Sequence, residues 1–247
     1  MTTLLIRLAA PLQSWGADSK FTRRHTRREP TKSGVVGLCA CAMGIRRDEE
    51  SAVARIAALE FGVRIDQPGT LLRDFHVAHK NEFWTTGKTY PFVSERYYLA
   101  DAVFLAGLSG DLELLKTIDE ALNAPKLPIY LGRRSCPPSG QVSLGLHETG
   151  LVEALRDKPW LASDWYKRRH QVNSLEIIRD AEEGVVMQDL PLSFNPRNRR
   201  YGLRATAREA FATPPASLAP AAASEPVDTS HDPFTALGGD LNVSVTG

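Results

Sequence analysis

The sequence predicts an α+β domain with a ferredoxin-like or RRM-like core. Three observations carry this. The chain opens on a short alternating apolar stretch and then turns to helical spacing. Two further strand patterns lead, past a polar and aromatic excursion and a long apolar run, to a capped amphipathic helix. More strand patterns close the chain. The order strand, helices, strands, helix, strands is that of an α+β fold, and its two strand–helix–strand passages fit the ferredoxin-like unit. With 247 residues the chain suffices for one elaborated domain or two small ones.

The first element is Thr3–Ala10, where Leu4, Ile6 and Leu8 alternate with Leu5, Arg7 and Ala9. This spacing predicts a strand buried mainly on one face, ended by Pro11. Residues 12–30 have no apolar period and read as a loop. Ser33 is a candidate helix cap before Val35, Val36, Leu38 and Met43, with Gly44 as the stop. A second helix opens near Asp48 and runs through Val53, Ile56 and Ala57. Phe61–Asp66 and Leu71–Val77 alternate as strands. Residues 79–96 are polar and aromatic, a long hairpin excursion before an apolar strand at Tyr97–Leu108. Asp111–Leu122 has a helical apolar face, with Asn123 and Pro125 closing it. Ile129–Leu131 is a short candidate strand. Leu175–Arg179, Val185–Leu190 and Tyr201–Ala207 are the C-terminal strands.

Composition is that of an ordinary soluble globular chain, 43% hydrophobic and 24% charged. That argues against disorder throughout, a collagen-like repeat or a disulfide scaffold. The three cysteines give no sign of an oxidising compartment. The N-terminus lacks a signal-peptide layout, and no apolar run approaches the ~18 residues of a membrane span. A cytoplasmic protein is expected. Residues 212–247 are rich in Pro, Ala and Ser, carry four acids and no Lys or Arg, and are expected to be a flexible tail. Residues 1–211 therefore hold all 30 basic residues against 25 acids. Two basic segments stand out, 20–34 and 197–208. They suggest contact with a polyanion; two solvated loops are the plainer alternative.

Motifs of catalysis are scarce. There is no phosphate-binding GxxxxGK[ST] loop, no HExxH and no GxSxG. Cys39 and Cys41, two apart on a helix, point about 200° from one another and share no metal. Cys136 has no identifiable base. His76 and His79 fall on opposite faces of a strand. Metal-independent RNA cleavage needs a base for the 2′-hydroxyl and an acid for the leaving oxygen. His25, His76 and His79 with nearby tyrosines are the side chains available for it, and nothing in the pattern selects among them. No catalytic residue, metal or cofactor is expected.

What remains concerns binding. Residues 21–28 mix guanidinium groups with hydroxyls, and arginine forks suit both phosphate and base faces. A helix opening near Ser33 would aim backbone N–H groups at an anion. Residues 79–96 interleave Lys80, Lys88 and Arg96 with Phe83, Trp84, Tyr90 and Phe92, the mixture used to hold single-stranded nucleic acid.

The stretch Leu8–Gly16, reading LAAPLQSWG, resembles the opening of the CasD family of CRISPR-associated proteins. The family's order continues at Pro30–Leu38 (PTKSGVVGL), Leu72–His76 (LRDFH) and Tyr130–Pro137 (YLGRRSCP). The resemblance covers about residues 3–140, and more loosely 185–209. It implies a RAMP-superfamily subunit of a type I-E Cascade complex. Such a subunit grips the 5′ handle of the CRISPR RNA and does not cut it. Its partners are then a CasC-type backbone subunit and a CasA-type large subunit, target DNA is bound by the whole complex, and no membrane is involved. The resemblance also implies a protruding β-hairpin thumb at about 79–96 and additional C-terminal strands. Arg23, Arg24, Arg27, Arg28, Lys32 and Ser33 are the candidates for the handle, with Lys80, Trp84, Lys88 and Arg96 on the thumb and Arg133 and Arg134 in the glycine-bearing loop. Trp15 fits base stacking and a buried anchor equally. Two other functions are compatible with the pattern: a metal-independent endoribonuclease acting on repeat RNA, and a protein-only scaffold.

Overall fold

Strand β1 (Thr3–Ala9) sends Leu4, Ile6 and Leu8 into the main core and Leu5 to the other face, and both sets are buried. The single buried face expected of this strand is therefore corrected. A helix that the apolar spacing did not reveal covers the second face, as described below. The computed structural model describes residues 1–16, 22–81 and 89–213, and only the backbone of residues 79–81, 89, 90 and 92.

Helix α1 (Lys32–Met43) is capped by Thr31, whose hydroxyl accepts the Gly34 N–H, and not by Ser33. Gly44 ends it with φ of 74°, a left-handed turn open to glycine at no steric cost. Helix α2 (Glu50–Ala57) leads to β4 (Glu60–Gln67). The predicted strand at Leu71–Val77 and the described part of the excursion after it form two paired arms; residues 82–88 of the expected thumb lie outside the described residues. The arms, β5 (Thr70–Asn81) and β6 (Thr89–Ala100), pair from Thr70–Ala100 to Asn81–Thr89. The expected run Tyr97–Leu108 is broken in two. Asp101 takes a positive φ of 55°, and the chain leaves the hairpin sheet to enter β7 (Val103–Ser109) of the main sheet. Hydropathy does not register this change, because the end of β6 from Tyr97 and all but the last residue of β7 are apolar.

Asp111 caps helix α3 (Leu112–Asn123) by accepting the Leu114 N–H. Ile129–Leu131 is not a strand but part of a loop that leads to β8 (Ser143–His147). Helices α4 (Leu151–Asp157) and α5 (Asp164–Arg169) follow, then β9 (Ser174–Ala181), β10 (Val185–Ser193) and β11 (Arg200–Ala212). Thr213 still bonds to Asn173, so the ordered domain runs slightly beyond residue 211. The rest of the predicted tail lies outside the described residues.

The main sheet has seven strands in the order β10-β11-β9-β4-β7-β1-β8, every pair antiparallel. One end of it, β4-β7-β1-β8, is two interleaved strand–helix–strand units, so the class is α+β as predicted. Helices α1, α2 and α3 cover one face. On the other, Leu151, Ala154 and Leu155 of α4 pack on Leu5, Leu105 and Ile177. Two short strands, β2 (Leu12–Gln13) and β3 (Arg23–Arg24), lie along β6 on the edge away from β5. They fall within the stretch expected to be loop.

A buried ion pair fixes the chain around α4. Arg64 and Asp66 have no exposed side-chain surface and meet at 2.6 Å and 2.8 Å. The remaining Arg64 N–H groups donate to the carbonyls of Leu155, Lys158 and Pro159, and Asp66 accepts the Leu161 N–H. Burial pushes the Asp66 carboxyl above its ordinary range, against the pull of Arg64. Asp66→Ala leaves the guanidinium buried and unpaired, and denaturant unfolding should show a loss of about 3–5 kcal/mol.

Candidate nucleic-acid interface

Residues 13–15 build the site. Gln13 is wholly buried, and its amide nitrogen donates to Leu8 O and Ala102 O while its oxygen accepts the Trp15 indole N–H. Trp15 is thereby a buried anchor and not a stacking platform. It lies so close to α1 that a Cβ at position 34 would stand 2.7 Å from the indole, which is why Gly34 follows the capping residues.

Two arginine segments hang from this stretch. The first is residues 22–28. The Trp15 N–H donates to the Thr26 hydroxyl, the Arg27 N–H to Trp15 O, and the Glu95 N–H to Thr22 O. β3 then runs parallel to β6, with Arg23 beside Glu95 and Arg24 beside Arg96. The second is the loop 131–136. Leu131 and Cys136 are buried and bonded to each other, and the Ser14 N–H donates to Leu131 O. Gly132 sits at φ of 85°, where a Cβ would lie 1.6 Å from the Ser14 carbonyl oxygen. No other residue fits this approach.

The loop delivers Arg133 to the root of the hairpin. Its guanidinium donates to Arg24 O at 2.8 Å and lies 4.6 Å from the centre of the Tyr98 ring. His25 stacks on Tyr97 at 4.9 Å. Arg27 Nε, Arg96 Nε and Arg133 Nη1 are buried and find no hydrogen-bond acceptor among the described residues. Buried donors normally have partners. Arg179 Nε, on β9, is a further donor of this kind, so it is the exposed arginines around the loop that are open to another molecule. Arg23 is 70% exposed and only loosely paired with Glu95 at 3.8 Å; Arg24, Arg28 and Arg134 are exposed as well.

Lys32 is a correction. Its side chain is 7% exposed, and the ammonium sits 2.7 Å from Asp180. Arg204 joins the cluster, bonded to both Asp180 and Asp189. Burial lowers the affinity of Arg204 for its proton, but the two carboxylates more than offset this and raise it. Asp189 also accepts the Lys32 backbone N–H. Two of the N–H groups expected to face an anion, those of Lys32 and Gly34, are thus already engaged, with Asp189 and Thr31. Ser33 is buried, its hydroxyl 3.3 Å from that of Thr31. Arg208 of the second basic segment pairs with Glu176 and Glu29. Trp84 and Lys88 lie outside the described residues, as does the Lys80 side chain. The sequence reading missed Tyr98 and Gln13. For Tyr98 the signal was its place two residues after Arg96, in a strand entering the core.

His76 pairs with Asp74 on its own strand, apart from the His25–Tyr97 stack in partners. Burial pushes the Cys39 thiol up to about 12 and raises Cys136 as well. Partial burial raises Cys41, against the charges of Arg134 and Arg47. Alkylation of the folded protein at pH 8 should therefore spare Cys39, and label it once the chain is unfolded. Gly132→Ala should displace the arginine loop from Ser14, which thermal unfolding would report as lost stability. No helix among the described residues is long and apolar enough to cross a membrane.

The match of a family model over most of the chain makes this a CRISPR-associated protein. Within that class the chain belongs to the CRISPR-associated protein (Cas_Cas5) family, whose model matches residues 3–206. It is 34% identical over 156 residues to the CRISPR system Cascade subunit CasD of Escherichia coli strain K12, covering 58% of this chain and 70% of that one. A solved structure described as a crystal structure of Cas protein is 40% identical, with a TM-score of 0.68 over 85% of this chain and 95% of that one. A chain of a CRISPR RNA-guided surveillance complex is 32% identical, with a TM-score of 0.73 over 86% and 91%. The family resemblance carried by the four sequence motifs is borne out.

Proposed function

We propose that the protein is a CRISPR RNA-binding subunit of a Cascade-type surveillance complex, holding the 5′ handle of the RNA without cutting it. The arginines gathered at the root of the hairpin carry this reading: exposed Arg23 and Arg24 on the strand beside Arg96, and Arg133 bonded to Arg24 O. Arginine forks match phosphate oxygens, and beside them Arg133 lies against the Tyr98 ring and His25 stacks on Tyr97. The relatives support the assembly: one is named a Cascade subunit, another is a chain of an RNA-guided surveillance complex. On this reading the neighbours are a CasC-type backbone subunit and a CasA-type large subunit, and the assembly as a whole binds target DNA.

The purified protein, in EDTA, should shift a labelled CRISPR repeat RNA in a handle-dependent way and leave it intact. Discrete cleavage abolished by His25→Ala or His76→Ala would overturn the non-catalytic reading in favour of a metal-independent endoribonuclease. Assembly with partners without any RNA crosslink to this chain would leave it a protein scaffold. Each phosphate contact on a single strand contributes about 0.7 to the slope of log affinity against log salt. Arg24→Ala with Arg27→Ala should therefore weaken binding and flatten that slope by about 1.4.

A further inference from the structure

Arg133 turns to the hairpin, but its neighbour Arg134 lines a different surface. A groove of about 1270 Å³ lies between α1, the 127–134 segment and the loop 194–199. Its walls are fixed. The Lys126 N–H donates to Ala42 O, and the Cys41 thiol to Pro128 O. Opposite them, the buried Ser193 hydroxyl donates to Glu50 and accepts the Asn195 N–H, and the Asn195 side chain accepts the Arg197 N–H.

The lining is strongly basic. Arg46, Arg47, Arg134, Arg197 and Arg199 face one acid, Asp48, which is paired with Arg46 at 3.2 Å. The other four make no ion pair among the described residues. Like charges gathered in a concavity repel one another and raise the local concentration of anions. Tyr130 and Phe194 add aromatic surface. The volume exceeds the ~300–1,000 Å³ of ordinary small-molecule sites, so it suits a length of chain.

We infer that this groove is a second seat for single-stranded RNA, continuous through the 131–136 loop with the strand held at the hairpin root. Arg134, Arg197 and Arg199 contact phosphates, and a base lies against Phe194 or Tyr130. The inference rests on the RNA-binding reading above. RNA is favoured over an acidic peptide because the groove joins aromatic rings to arginine forks and shares its loop with the first arginine cluster.

The test uses the full chain and a labelled single-stranded CRISPR repeat RNA carrying 4-thiouridine. Arg197→Ala with Arg199→Ala should flatten the salt slope by about 1.4, and Arg197→Glu with Arg199→Glu should weaken binding further. Both arginines are exposed, so thermal unfolding should match the wild type. Crosslinks should fall on peptides containing Phe194 or Tyr130. A wild-type slope with no such crosslink, while Arg24→Ala with Arg27→Ala still weakens binding, overturns the groove and leaves the hairpin root standing. The reverse pattern supports the groove and overturns the hairpin root. Unchanged RNA binding together with lost binding of a polyglutamate peptide overturns the inference in favour of a protein partner. No RNA binding by the wild type overturns both.

Discussion

The buried carboxamide of Gln13 is the interaction on which the arrangement depends. It bridges Leu8 O at the end of β1 to Ala102 O at the start of β7, and holds the indole of Trp15. A polar group without solvent is costly unless its donors and acceptor are engaged, and here they are. The main sheet, the hairpin sheet and both arginine segments meet within three residues. Trp15 holds the 22–28 segment through backbone bonds, and Ser14 holds the 131–136 loop and, through its hydroxyl, Tyr97 O. The guanidinium groups are exposed or half-buried, but the backbone that carries them belongs to the core.

A second constraint joins the ends of the domain. Lys32, Asp180, Asp189 and Arg204 come from α1, β9, β10 and β11. Two cations and two carboxylates in one buried cluster each supply what the others lack. The C-terminal strands are therefore tied electrostatically to the first residue of the helix that lies beside Trp15. Removing any one member leaves an uncompensated charge, which costs more than the cluster as a whole contributes.

The sequence was most legible where the signal is local. The helix after Asp111, the Gly44 stop, the alternation of β4 and the C-terminal strands are each set by residues a few positions apart. Family membership was legible too, because its motifs are the residues that knit residues 13–15 to Gly34 and Gly132. Lys32 was misread for a physical reason. Its carboxylate partner is 148 positions away, and a lysine facing a phosphate looks the same in composition as one facing an aspartate. The split of Tyr97–Leu108 was hidden because it depends on one backbone angle at Asp101. The second buried face of β1 depends on α4, whose few apolar residues give a weak period. The acceptorless donors are a property of placement alone, and no spacing announces them.

The hairpin has a mechanical consequence. Twelve paired residues at about 3.3 Å each make an arm of roughly 40 Å, and Arg96, Tyr97 and Tyr98 lie among the five residues nearest its root at Ala100. β2 and β3 pin β6 at Leu99, Ala100, Glu95 and Arg96, so bending of the arm pivots beyond Glu95 and moves Thr89 while Arg96 stays in place. The outer end acts as a long lever with wide sweep, while the arginines sit near the fulcrum and keep their alignment. Reach and precision are thus divided along a single strand.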